Sequence, residues 1–422
     1  MLDRLDCSFI LLGLVVFRLS LLIFLLSCTT SQEASQQVQP DIILLLSNGL
    51  RADGTDALLS GLALSPDWRF SSAYSQSPVP FTSLGSVLTG RYPSAIPMCG
   101  VPYRHVADIE AMPWCAGIPS ERHTLPSVLA LYGYTTALLT DTTLLRDHLG
   151  STFSEQLADD EVAEWWAGVT GPRLLVVSDS TLMLKTDATL RQASSDAIQA
   201  RFQEASETLG QRWGSLLSTL PTNNRRLVVA GLHGQNLKES GGGGSLPKNP
   251  LFNDIILERT VHVSLLVFGE PTPRTITPPV ELLDILPTAL VWAGAAPLAG
   301  LPGTDLHSEA DPSGHAYAEL GDMLMVRQGA EMLSLRAMLH HITALDPQLD
   351  QALQHPTGHL HLHNVESDPL QTADLVREDL DRREELLLSL RAIRAGDAAP
   401  PPKAMTDEHL QAIRMTASEG YW

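Results

Sequence analysis

Basic residues are scarce in this sequence, which has 28 Lys and Arg against 48 Asp and Glu and a formal net charge of −20. This deficit argues against broad basic surfaces of the kind that hold nucleic acid or dock a protein on anionic lipid by charge alone. Aromatic residues are also few, at 5%, but hydrophobic residues make up 44% of the 422 positions. We therefore expect an acidic globular protein with a large core and no nucleic-acid partner.

Only four cysteines are present, and one of them, Cys28, follows a long apolar run at residues 7–26. The run is followed by Ser-Cys, which completes the pattern of a bacterial lipobox. We predict that residues 1–28 form a signal segment and that cleavage occurs before Cys28. A lipid on the Cys28 thiol would then anchor the exported protein to a membrane of the bacterial cell envelope. Residues 29–40 are polar and short, as suits a tether.

A retained N-terminal transmembrane anchor is the alternative, because the apolar run is nearly long enough to span a bilayer. Arg18 interrupts this run, however. A translational start near Val16 would place Arg18 in the basic segment that precedes the apolar part of a signal peptide. We therefore favour the lipoprotein.

Two further cysteines, Cys99 and Cys115, would remain in the mature chain. An exported protein meets an oxidising compartment, so we expect these two residues to form a disulfide. Such a bond would contribute on the order of 3 kcal/mol in the chain-entropy model. The alternative is two unpaired buried thiols, and neither their spacing nor their neighbours indicate a metal site.

Apolar runs that are typical of parallel strands buried on both faces occur at residues 41–46, 172–178 and 226–230. They alternate with segments of helical period, such as residues 188–220. This alternation predicts an α/β protein in which helices cover both faces of a parallel sheet.

From about residue 314 the pattern changes to short antiparallel strands, followed by an amphipathic helix over residues 373–395. Residues 359–364 read HLHLHN and place three histidines on one face of a strand. Three imidazoles spaced in this way are able to bind a transition metal. We predict the commoner outcome for such a strand, which is a solvated face.

The most specific motif lies in residues 69–94, which read RFSSAYSQSPVPFTSLGSVLTGRYPS. AYSQSP, followed after seven residues by SVLTGRYP, resembles the signature of the sulfatases, within the alkaline phosphatase superfamily, without gaps over residues 73–93. Residues 281–297 are similar to a scaffold motif of the same family. The resemblance implies a doubly wound α/β/α sandwich over residues 41–313. It also implies a smaller C-terminal subdomain, a sheet plus a helix, over residues 314–422.

The positions that carry catalysis in that family hold unsuitable residues in this chain. The resemblance places the nucleophile at Pro80, and proline has neither a hydroxyl nor a thiol. It places the metal ligands at Asn48, Gly49, Leu232 and His233, so every expected carboxylate is missing. A dication at these positions would lack the anionic oxygen ligands that it requires.

The family's basic residues, which hold the charge of the ester, are missing as well, at Leu84 and within residues 140–143. Hydrolysis by the family route needs a nucleophile, a metal and such cations together. We therefore predict a pseudoenzyme that needs no cofactor and has a binding or structural role at the cell envelope. Its partner would be an envelope protein or an anionic glycan.

An active hydrolase of sulfate or phosphate esters with relocated catalytic residues is the alternative hypothesis. Thr82 or Ser83 would then be the nucleophile, His233 its base and Asp141 the residue that orients the imidazole. Only this alternative calls for a divalent cation, calcium or zinc. We favour the pseudoenzyme, because the segment lacks the nucleophile-elbow pattern and because serine and threonine are common in loops.

Overall fold

The computed structural model describes residues 38–96, 118, 122–182, 193–237, 239, 255–308, 314–321, 323–336 and 359–396. Cys28, Cys99 and Cys115 lie outside these ranges, so the lipid anchor and the disulfide stay predictions. Within the same ranges, no helix combines the length and the apolar character that crossing a membrane requires.

Nine strands of the described chain form one large, mainly parallel sheet. They are β1 (Asp41–Asn48), β2 (Trp68–Tyr74), β3 (Thr135–Thr140), β4 (Glu155–Leu157), β5 (Arg173–Asp179), β6 (Arg225–His233), β7 (His262–Phe268), β8 (Arg274–Ile276) and β9 (Val280–Glu281). Their order is β4-β3-β5-β1-β6-β7-β2-β8, and β9 also pairs with β2. Neighbouring strands are parallel, except that β7 runs antiparallel to both β6 and β2.

Helices cover both faces of this sheet. They are α1 (Thr55–Leu62), α2 (Pro80–Thr89), α3 (Leu125–Leu131), α4 (Thr143–Leu149), α5 (Val162–Gly168), α6 (Ser195–Ser218), α7 (Glu258–Val261) and α8 (Ile285–Trp292). Each helical crossover between parallel strands brings the chain back to the side of the sheet at which these strands begin. The carboxyl ends of the parallel strands therefore all lie on the opposite side.

The alternation of side chains along β1 shows why two layers of helices form. Ile43 and Leu45 lie in a cluster with α1 and α6, whereas Leu44 and Leu46 lie in a cluster with α2, α3 and α8. All four side chains are fully buried, and burial of each contributes roughly 2 kcal/mol. The predicted α/β/α sandwich is therefore confirmed.

A second, smaller sheet follows, as the resemblance implied. It is antiparallel, in the order β10-β11-β12-β13, and helix α9 packs against β11 and β12. Its elements are β10 (His315–Leu320), β11 (Met323–Gln328), β12 (Glu331–Arg336), β13 (His359–Asn364) and α9 (Leu380–Gly396). Leu386, Leu387 and Leu390 of α9 are buried against this sheet.

The segment before α9 differs from the prediction. A helix was predicted from residue 373, but α9 begins at Leu380. The preceding residues run beside the edge strand β13 instead, where Leu375 N donates to Leu362 O (2.7 Å). The predicted solvated face of β13 holds only in part, because this segment covers His363, which is 4% exposed, whereas the side chain of His361 is 32% exposed.

The second sheet contacts the segment that carries the central motif. Glu319 of β10 donates its backbone N–H to Gln76 O (2.9 Å). Its fully buried carboxylate accepts hydrogen bonds from Ser94 N and from Tyr317 Oη (2.5 Å), and it pairs with Arg394 (2.9 Å). Residues on both sides of α2 are thereby fixed to the small sheet.

Candidate functional site

Two polar residues meet at the carboxyl ends of β1 and β6. Asn48 is the last residue of β1, His233 is the last residue of β6, and the two are register partners across a β-bulge between Ser47 and Asn48. Ligands of open α/β sheets bind at this edge, outside the carboxyl ends of the strands. The structure therefore brings together two of the residues that the resemblance placed in a metal site.

Two glycines fix the end of β6. A Cβ at Gly231 would lie 2.0 Å from Leu50 O, and a Cβ at Gly234 would lie 2.1 Å from Arg259 O. Only glycine allows such close approach of two backbones. Gly49, at another predicted ligand position, has a φ of 83°, in the left-handed region that glycine adopts freely. No sequence motif that we recognised signalled the role of Gly231 and Gly234.

His233 is a neutral residue in this setting. It is fully buried, and burial lowers its pKa from 6.5 to about 4, despite a smaller opposing effect of its hydrogen bond with Gly234. Its Nδ1 lies 2.6 Å from Gly234 O. Because a carbonyl oxygen only accepts, Nδ1 carries the hydrogen and Nε2 keeps its lone pair. Neither Nε2 nor Asn48 Oδ1 has a hydrogen-bond partner among the described residues.

Leu232 belongs to the core and not to a polar site. Its side chain is fully buried, with 0% exposure. It lies in the apolar cluster that includes Leu84 of α2, Leu125 of α3 and Leu286 of α8. The position at which the resemblance implies a metal carboxylate thus contributes apolar packing.

A dication of the family type does not fit these residues. Calcium takes six to eight oxygen ligands, several of them carboxylates, whereas Asn48 and His233 offer two neutral donor atoms. The carboxylates of Asp53 and Glu239 both bind the guanidinium of Arg51, each at 2.7 Å. Zinc would need three or four ligands, so the described residues do not form a zinc site here either.

Pro80 has a structural role at the start of α2. It is the first residue of the helix, after the N-cap Val79, and proline suits this position because its missing N–H would have no partner there. Ser83 is fully buried, and its Oγ donates to Ser77 O (2.7 Å). Thr82 is 2% exposed. The candidate nucleophiles therefore lie inside the helix and its packing.

The alternative catalytic set is not brought together by the structure. Asp141 follows β3, which is three strand positions from β6, or roughly 14 Å at the usual strand spacing. Its carboxylate accepts from Ser180 N (3.1 Å) and Ser180 Oγ (2.6 Å). Ser83 Oγ donates to a carbonyl and not to His233, so no Ser–His–Asp relay forms among these three residues.

A cavity of about 280 Å³ opens at the carboxyl ends of β3 and β5. Arg212 lies in its wall but is ion-paired with Asp179 (2.8 Å) and Asp159 (2.9 Å). Arg146 donates to the carbonyl oxygen of Thr140 (3.0 Å). Both basic side chains thus already bind oxygen atoms of the protein, which reduces their attraction for the anionic group of an ester.

A second cavity, of about 350 Å³, lies between the two sheets and α9. Glu281 and Asp284 line it, together with Tyr92 and His315. Tyr92 Oη donates to Glu281 Oε2 (2.8 Å), and Thr304 N donates to Asp284 Oδ1 (2.7 Å). The acidic lining makes this cavity unsuited to an anionic ester.

Comparisons with known proteins support the fold. No family model matches the sequence, and no curated protein matches it. The structure is similar to a protein assigned to the sulfatases from Bacteroides thetaiotaomicron, with TM-score 0.62, 14% identity, and 88% of this chain and 99% of that chain covered. It is also similar to a phosphonate monoester hydrolase of Agrobacterium radiobacter, with TM-score 0.59, 12% identity, and 85% and 96% covered.

The chain is also similar to a third structure, a protein in complex with its substrate D-glucosamine-2-N,6-O-disulfate. The TM-score is 0.60 and the identity 11%, with 85% of this chain and 98% of that chain covered. Each of the three similarities extends over at least 85% of this chain and at least 96% of the other chain. The large mixed sheet between two helical layers and the small antiparallel sheet with its helix agree with the sulfatase fold. The chain therefore has a sulfatase-like fold.

Proposed function

We propose that this protein is a sulfatase-like pseudoenzyme, exported and lipid-anchored at the bacterial cell envelope, where it has a binding or structural role. The observation that carries the proposal is the burial of Leu232 in the core, at the position of an expected metal carboxylate. A leucine in that place fills the space of a ligand and supplies none of its charge.

The rest of the site agrees with this proposal. Ester hydrolysis by the family route needs a nucleophile, a dication and basic groups. Pro80 begins a helix, Asn48 and His233 are neutral, and Arg212 is ion-paired within the protein. Loss of all three requirements together favours a binding protein over an enzyme with altered chemistry.

We expect the purified chain to hydrolyse neither aryl sulfate nor aryl phosphate when it is assayed with calcium, magnesium, manganese or zinc. The rate should equal that of buffer with the same metal, because no described residue supplies an activated oxygen next to a bound dication. Release of the aryl alcohol, followed by absorbance, measures the rate directly.

The variants Ser83→Ala and His233→Ala distinguish the proposal from the alternative hydrolase. Any residual rate should be the same in both variants and in Ser71→Ala, a matched control that changes an exposed serine of β2. Turnover that Ser83→Ala or His233→Ala abolishes, and that Ser71→Ala leaves intact, would show that the protein is an enzyme with a relocated nucleophile.

Of the two partners considered, an envelope protein is favoured over an anionic glycan. The chain carries a net charge of −20, which repels sulfated or carboxylated sugars. The sulfated sugar bound by one structural neighbour is a substrate of that protein. The basic side chains in the described linings of the 280 Å³ and 350 Å³ cavities already have partners within the protein. Binding to a sulfated glycan at physiological salt that exceeds binding to any envelope protein would contradict this choice.

Export by the lipoprotein route predicts a specific effect of Cys28. We expect wild-type protein to incorporate labelled palmitate and to sediment with membranes, and Cys28→Ser to lose both properties, since the acylated thiol is the anchor. Cys7→Ser is the matched control, because Cys7 lies in the segment that cleavage removes. A Cys28→Ser variant that stays in membranes after an alkaline carbonate wash would indicate the transmembrane anchor instead.

A further inference from the structure

Two histidines and a carboxylate come together on the edge strand of the small sheet. His361 and His363 alternate along β13 and share one face of it, with their rings parallel within 6° and their centroids 6.2 Å apart. Asp374 approaches them from the segment that runs beside the strand. One ligand atom from each of the three residues lies within 4.8 Å of the ligand atoms of the other two.

His363 has the orientation of a metal-binding imidazole. Its side chain is 4% exposed, and Nδ1 lies 2.9 Å from Ala373 O. Because the carbonyl oxygen only accepts, Nδ1 carries the hydrogen and Nε2 keeps its lone pair. A ring N–H on a backbone carbonyl is the usual outer contact that fixes the tautomer and the orientation of a ligating histidine.

Asp374 is held in place by the backbone. Its Oδ1 accepts from Leu362 N (3.0 Å) and Val376 N (3.1 Å), and its Oδ2 lies 2.8 Å from His361 Nδ1. Leu375 N also donates to Leu362 O (2.7 Å). The carboxylate is thus attached to the strand that carries both histidines, which reduces the entropy that ordering a ligand set would cost.

We propose that His361, His363 and Asp374 bind a transition-metal dication of the zinc class. Two imidazole nitrogens and one carboxylate oxygen suit zinc better than calcium or magnesium, which prefer oxygen alone. Zinc–nitrogen bonds of 2.0–2.1 Å place the ligand atoms of a tetrahedral site about 3.3 Å apart. The most widely separated pair of ligand atoms therefore needs to close by about 1.5 Å at most, and metal binding would replace the hydrogen bond between His361 and Asp374.

The site is distinct from the emptied family site at Asn48 and His233, since it lies on the other sheet. Three protein ligands leave one position of a tetrahedral zinc for water or for a donor atom of a partner. Both His361 and Asp374 are about one-third exposed, at 32% and 34%, so the open position is accessible from solvent.

Zinc titration of the full chain, purified in detergent without a polyhistidine tag, tests the proposal against a competing chromophoric chelator. We expect one tight zinc per chain, with affinity lowered at least tenfold by His361→Ala or by Asp374→Asn. Asp381→Asn is the matched control, because it makes the same charge change at an exposed residue of the neighbouring helix, and it should leave the affinity unchanged. A thermal unfolding curve of each variant confirms that it folds.

The buried ligand is tested by His363→Asn, whose side-chain amide is able to donate to Ala373 O but has no second ring nitrogen. This variant should also bind zinc at least tenfold more weakly, and excess calcium should not displace zinc from the wild type. Absence of tight zinc binding in the wild type would overturn the proposal. So would unchanged affinity in the three ligand variants, or displacement of zinc by calcium at comparable concentration.

Discussion

The Leu232→Asp variant is expected to lose about 5 kcal/mol in its free energy of unfolding, a large part of the total stability of a typical domain. The side chain is fully buried in the cluster beneath α2, α3 and α8. Aspartate there removes the packing of a leucine and brings a carboxylate into an apolar cluster of the core. Urea unfolding, followed by circular dichroism, measures the change.

Millimolar calcium should not restore the stability of Leu232→Asp, because Asn48 and His233 contribute no charge to a restored site. Leu64→Asp is the matched control, since Leu64 is 39% exposed, and it should change the free energy of unfolding by less than about 0.5 kcal/mol. Recovery of wild-type stability by Leu232→Asp in calcium would mean that this single substitution restores a calcium-binding site. The pseudoenzyme proposal would then depend on Pro80 and on the missing basic groups.

The strands that build the site were predictable because burial on both faces leaves a local trace. Residues 41–46 read as a continuous apolar run, and they form most of β1 (Asp41–Asn48). The strand extends over Ser47 and Asn48, which the run did not include, because these residues pair with β5 and β6. Hydrophobic pattern identifies the buried middle of a strand, and pairing decides where the strand ends.

The chemistry of the site could be predicted only as residue types at strand ends. Asn48 and His233 were expected near each other, and they are register partners. Asp141 was grouped with them because it also follows a strand, but the order β3-β5-β1-β6 separates it from His233. Strand order is a long-range property, and no local period of the sequence contains it.

The role of Asp374 could not be predicted, because its segment also fits a helical period over residues 373–395. The structure resolves this ambiguity through hydrogen bonds with β13. Leu375 N donates to Leu362 O and Leu362 N donates to Asp374 Oδ1, so this segment pairs with the strand and the helix begins only at Leu380. Tertiary contacts thus override a local preference and place a carboxylate beside two histidines.

The stability of the protein should depend on pH through His233. Between about pH 4 and 6.5 the unfolded chain binds a proton at this residue that the folded chain does not, because burial lowers the pKa of His233 to about 4. Stability is therefore lost as the pH falls through this range. From pH 7 to pH 4.5, the wild type should lose about 2.5 kcal/mol more free energy of unfolding than His233→Gln.

Urea titrations of both proteins at the two pH values measure this difference. His123→Gln is the matched control: His123 is exposed, so its side chain meets water in the folded and the unfolded chain, and its replacement should leave the pH dependence of the wild type unchanged. Equal pH dependence in the wild type and His233→Gln would mean that the folded protein accepts a proton at His233 as readily as the unfolded chain does. An imidazole that is protonated so readily must lie near an anion or be open to water. The site would then be able to stabilise a bound cation, which buried, neutral residues are unable to do.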